Sequence, residues 1–235
     1  MEDEVSKHTK KIYRAIKDPR RSFAEKTKEI VIEVLIIVFA VTLSIWFHSW
    51  SEHRHEQKEV QGFLKGLKED LTKDKSLLQE NKNQIVQLDS NFKFLIVLDG
   101  NGHSDTIGEA AINDHLYFSL PVTHPNIGRY EGFKSSGKIG EIENDSLKEN
   151  ILRFYEQYIP DLSYSENFVN TLQTKMLDLR VNKSESMTSR DFVTTSKMKS
   201  LFNIGIHNFE VSSDLYDKAM AQADRIIAAI DKELE

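Results

Sequence analysis

One stretch limits this chain more than any other. From Val34 to Ser51 it reads "VLIIVFAVTLSIWFHSWS", eighteen residues without a formal charge. At about 1.5 Å per residue a helix of that length covers roughly 27 Å, enough for the hydrocarbon layer of a bilayer. Trp46, Phe47 and Trp50 gather at its far end, as residues of a membrane interface do. The run is apolar all round, which argues against the core helix of a soluble protein. It starts behind a long charged leader and no Ala-x-Ala site follows it, which argues against a cleaved signal peptide. A single transmembrane helix over residues 29–51 is therefore expected. Glu33 interrupts the apolar run near its start, where the carboxylate can reach water; the alternative is a helix–helix or proton-linked role.

Charge around this segment gives an orientation. Lys10, Lys11, Arg14, Lys17, Arg20, Arg21, Lys26 and Lys28 precede it, and only Arg54, Lys58, Lys65 and Lys68 follow within about twenty residues. The amino terminus is then cytoplasmic and the carboxyl-terminal domain periplasmic, held at the cell inner membrane. Residues 1–28 form a short basic cytoplasmic segment, with an amphipathic helix over 4–17 and a capping box in Ser22–Glu25. The whole chain carries a formal charge of −6, from 31 basic and 37 acidic residues. Nucleic acid is not an expected partner. There is no Cys, which removes thiolate chemistry and Cys-ligated metals.

After the anchor, apolar residues fall at 60, 64, 67, 71, 78, 85, 88, 92 and 95, with Asp74 and Asn81 filling the two gaps. Steps of three and four define a heptad seam and predict a long stalk helix over 52–98. Its partner is either a later helix of the same chain or a second copy, and Asn81 could set the register. Asp99-Gly100-Asn101-Gly102 ends the helix. The remainder, 99–235, reads as a helical bundle with an irregular joint at about 121–144. "IGEAAINDHLYFSL" looks helical, Pro121 and Pro125 frame a loop, and a helix starts near Asp145 behind an Asn144 or Asp145 cap. Pro160-Asp161 marks a turn or kink. Further helices cover 162–181 and about 206–234, with apolar residues between them over 190–205. The predicted class is all-α: one transmembrane helix continuing into a stalk packed in an extracytoplasmic bundle of four or five antiparallel helices.

"GFKSSGKI", Gly132 to Ile139, is one residue from a phosphate-binding loop. Ile139 stands where Ser or Thr must ligate magnesium, and no strand precedes the loop. The stretch suits a tight joint better, with Tyr130, Phe133, Ile139 and Ile142 as apolar anchors and Gly137 and Gly140 permitting close approach or positive φ. If the domain holds a site, the candidate is the cluster Arg129, Tyr130, Lys134, Ser135, Ser136 and Lys138, cations and hydroxyls suited to a carboxylate, phosphate or lipid headgroup. His103, His115 and His124 have no metal-ligand spacing. No catalytic residue, metal or cofactor is expected.

The anchor "EIVIEVLIIVFAVTLSIWFHSWSEHR", the helix opening "FLKGLKEDL" and the stretch "YEGFKSSGKIGEIENDSLKENILRFYE" together resemble a Bacteroidota domain-of-unknown-function family, number 6090. Lys28 replaces the glycine that opens the typical anchor, and Glu33 falls where that family is usually apolar. The resemblance covers residues 25–160 best. It implies a small single-pass membrane protein and brings no activity. The functional expectation is a membrane-anchored helical scaffold or protein-interaction module without catalysis. Its partners would be the bilayer and either a second copy, paired through the stalk, or another envelope protein. The alternative is a sensor of a small ligand or anion that acts through a separate membrane partner.

Overall fold

Steps of three and four between apolar residues keep one side of a helix dry, and the chain follows them into a single element, α1 (Phe23–Ile96). The computed structural model describes residues 10, 13, 23–98 and 107–235, without the side chains of 23–26 and 29. The capping box at Ser22, most of the 4–17 helix and the turn at 99–102 lie outside the described residues. Contacts divide the chain into two units, 1–59 and 60–235.

In the first unit α1 carries one stretch long and apolar enough to cross a membrane. Leu35, Phe39, Ile45 and Trp46 stand open on its surface. A core helix would be covered, so the core-helix reading fails here. Trp46 meets Phe47 edge-on at 5.1 Å, and the Arg54 guanidinium lies 4.9 Å over the Trp50 ring. Glu33 departs from the expectation of a carboxylate open to water, being 8% exposed.

In the second unit every apolar seam position from Val60 to Leu95 is buried, as are Asp74 and Asn81. The partner is the same chain. After α2 (Glu109–His115), α3 (Gly128–Ser135) and α4 (Asp145–Arg153) come the long α5 (Ile159–Val181), the short α6 (Ser189–Val193) and α7 (Ser196–Leu234). Lys68, Lys75 and Lys82 pair with Asp231, Asp224 and Asp217, seven residues apart on both helices, so α7 runs antiparallel to α1. α5 runs antiparallel to α7 in turn: Ser165 bonds Ser212 at 2.6 Å, Leu172 lies against Gly205, and Tyr216 donates to Glu166.

Beyond His115 the helix expected over 107–120 gives way to a strap without regular secondary structure, 116–127, which includes the loop expected between Pro121 and Pro125. "IGEAAINDHLYFSL" is helical only to His115. Pro121 and Pro125 cannot supply the backbone N–H that a helix interior needs, and polar groups on both neighbouring helices satisfy the strap instead. Ser119 donates to Gln84, and the Asn81 amide donates to the Thr123 hydroxyl at 3.0 Å. The Asn126 N–H and side-chain amide reach Asp74 at 3.1 and 2.6 Å. On α5, Glu166 accepts the Thr123 N–H at 2.9 Å, Asn170 donates to the Pro121 carbonyl at 3.0 Å, and Arg180 donates to the Leu116 carbonyl at 3.0 Å. Asn81 therefore fixes the strap and not the register of a homomeric coiled coil. The bundle is three long helices with the strap between α1 and α5.

Pro160 does not break the chain into two helices. α4 passes into α5 through one wide π turn, Phe154–Tyr158, directly before the proline. A proline at 160 would collide with the carbonyl four residues back in a regular α-helix; widening that turn relieves the collision. The inserted turn shifts the apolar phase. Phe154 and Val169 are buried, while Phe168 is 40% exposed. The last helix begins at Ser196, ten residues before the sequence suggests, with the Thr195 hydroxyl capping the Met198 N–H.

Candidate functional site

The joint between the strap and α4 is built by local capping. α3 ends on Gly137, whose φ of 78° is in the left-handed region that glycine enters without steric cost. Its N–H returns to the Lys134 carbonyl at 2.9 Å, and the Ser136 N–H to the Gly132 carbonyl at 3.2 Å. The Ser135 and Ser136 hydroxyls donate to the Gly132 and Phe133 carbonyls at 3.2 and 2.9 Å. Both serines thus close the end of their own helix. A 3-10 turn, Lys138–Glu141, follows. Asn144 then accepts the Leu147 N–H at 3.1 Å and starts α4.

Apolar anchors hold this joint to the bundle. Tyr130 and Ile142 are buried, Phe133 stacks on Phe63 with centroids 3.9 Å apart, and Ile139 packs on the core. Gly132, first glycine of the near-match to a phosphate loop, lies inside α3, and no strand occurs among the described residues.

The candidate residues separate into groups. Lys134 and the Tyr130 hydroxyl converge on one carboxylate oxygen, Glu156 Oε1, the tyrosine at 2.6 Å. The Lys134 ammonium also sits 5.6 Å from the centre of the Tyr130 ring. Arg129 turns the other way and bonds Asp70 of α1 at 2.8 Å, lying where a Cβ on Gly66 would fall. Lys138 opens the 3-10 turn half-buried. Tyr155, from the π turn, stacks on Tyr130 at 4.2 Å, and its buried hydroxyl has no partner among the described residues.

Charge follows this geometry. The Lys134 bond, with the Tyr130 hydroxyl second, holds Glu156 below the usual carboxylate range. The same bond raises Lys134. Burial raises the Tyr130 hydroxyl, helped by Glu156, and burial raises that of Tyr155, helped by the Asp74 and Asp70 charges. Asp74 is itself pushed up by burial, against the opposing bonds from Asn126. Glu156, Asp70 and Tyr155 belong to this cluster although nothing in their local sequence marks them. His115 bonds the Ala111 carbonyl at 2.8 Å and stacks on Phe94. Among the described residues no group of three metal-ligating side chains occurs.

A seam filled from within the chain, a cation–tyrosine joint and one helix long and apolar enough to cross a membrane characterise the all-helical described residues. The chain belongs to DUF6090, a family of unknown function whose model matches residues 29–210. The match extends past residue 160, where the sequence resemblance fades, and takes in α5, α6 and the first part of α7. Neither the comparison with curated proteins nor that with solved structures gives a match.

Proposed function

We propose that the chain is a membrane-anchored helical module of the cell envelope that acts by contact and not by catalysis. The observation that carries this reading is α1 itself. One helix supplies an uncovered apolar span at one end and the core seam of a folded domain at the other. The basic leader supports a cytoplasmic amino terminus and a periplasmic bundle at the inner membrane. Because the seam from Val60 to Leu95 is filled internally, a second copy would have to pair through another face.

The contact surface is the joint at 129–138. Glu156 occupies the place that a partner's carboxylate or a phosphate would take between Lys134 and Tyr130. An incoming anion exchanges with it and keeps both donors satisfied. Lys134→Ala with Lys138→Ala in the full chain, followed by crosslinking in native membranes, tests this. The expected outcome is a discrete envelope protein captured by the native chain and lost from the variant, with the same thermal midpoint. Equal capture by both chains, or a variant that loses stability without losing a partner, contradicts it.

A further inference from the structure

We infer that the open groove between the carboxyl-terminal half of α5 and the first turns of α7 binds a single-chain carboxylate amphiphile, a free fatty acid. The groove has a volume of about 590 Å³, in the range of small-ligand sites. Thr174, Lys175, Asp178 and Leu179 of α5 face Lys197, Ser200 and Leu201 of α7 across it. Leu179 and Leu201 pack on the core from this side and form an apolar floor.

The polar lining divides by what is already satisfied. The Thr174 hydroxyl donates to the Asn170 carbonyl at 2.7 Å, and Asp178 accepts from the Asn182 amide at 2.9 Å. Lys175 and Lys197 make neither an ion pair nor a hydrogen bond among the described residues. Asp178 keeps its charge and a second oxygen, so with the exposed Lys175 and Lys197 the lining carries one net positive charge beside an apolar floor. A complementary occupant brings a negative acceptor and an apolar body together. An inorganic anion leaves the leucines uncovered, and a neutral alcohol leaves the net positive charge unmatched. A carboxylate on one alkyl chain meets both demands. This site is separate from the Tyr130–Glu156 cluster and does not depend on the side of the membrane that the bundle occupies.

The test uses the full chain in phosphatidylcholine nanodiscs and a dodecanoate bearing a diazirine, irradiated and mapped by mass spectrometry. Labelling is expected on peptides spanning 174–201, competed by excess dodecanoate and not by dodecanol. Lys175→Glu with Lys197→Glu should lower that labelling at least about tenfold, the factor that one charge-assisted hydrogen bond supplies. Labelling of residues 34–51 by probe dissolved in the bilayer should not change. Ser200→Trp fills the groove and leaves both lysines in place; it should abolish the 174–201 label. Absence of that label in the native chain, equal competition by dodecanol, or its persistence in either variant overturns the proposal.

Discussion

At position 205 the bundle has room for a hydrogen atom and little more. A Cβ there would stand 2.5 Å from Phe92 Cε2 and 3.0 Å from Leu172 Cδ2. Phe92 cannot step aside easily, because Phe202 and Phe209 hold it edge-on at 5.0 and 4.9 Å. Overpacking of a core costs about 1–3 kcal/mol, against roughly 1 kcal/mol regained from replacing a helical glycine by alanine. Gly205→Ala should therefore lower stability by up to about 2 kcal/mol, read from thermal melts of the full chain in detergent. Gly66 is the informative contrast. There the obstacle is the flexible end of Arg129, which can swing away at the expense of a half-exposed ion pair worth about 0–1 kcal/mol. Gly66→Ala should move stability by less than about 1 kcal/mol. Neither difference was legible in the sequence, since both depend on side chains brought from distant elements. The candidate cations were legible as a cluster, but their carboxylate partners, Asp70 and Glu156, lie 59 and 22 residues away from Arg129 and Lys134.

Among elements, periodicity was the readable signal wherever a helix packed along one unbroken face. All nine apolar seam positions of α1 read from spacing are buried, and Phe63, outside the strict seam, is buried too because it stacks on Phe133. Periodicity failed where the helix changed pitch, at the π turn, and where helices gave way to the strap. Asp74 and Asn81 were visible as polar gaps in the seam; what they bind was not, because an extended segment held by side chains has no period of its own. Asp74 offers a test of the strap through pH. Its carboxyl is raised by burial, with Asn126, Asp70 and Lys73 as the other groups acting on it. The folded chain holds that proton more tightly than the unfolded chain. The stability this contributes is complete below the ordinary value of 3.8 and is lost as pH rises through the raised one. Asp74→Asn cannot titrate and keeps one acceptor for Asn126. The variant's melting temperature relative to the native chain should rise as pH increases from 4 and then level off. A difference that stays constant with pH means that Asp74 is not held in the environment described.

For the molecule as a whole, the sequence marked the apolar membrane-type helix, the all-helical class and the buried seam of α1, because each rests on composition or spacing within a continuous segment. The bundle's connectivity did not follow from the same signals, since a strap between parallel α1 and α5 depends on pairings made only in the folded chain. The reading as a contact module rests on where the bundle lies, and the absence of cysteine from the chain makes that measurable without background. Single cysteines at Ser6 in the leader and at Ser213 on α7 would be treated with a membrane-impermeant maleimide in cells with a permeabilised outer membrane and an intact inner membrane. Labelling of the Ser213→Cys chain in intact cells, and of the Ser6→Cys chain only after lysis, is the predicted result. The reverse pattern, with position 6 labelled first and position 213 protected until lysis, would contradict the account.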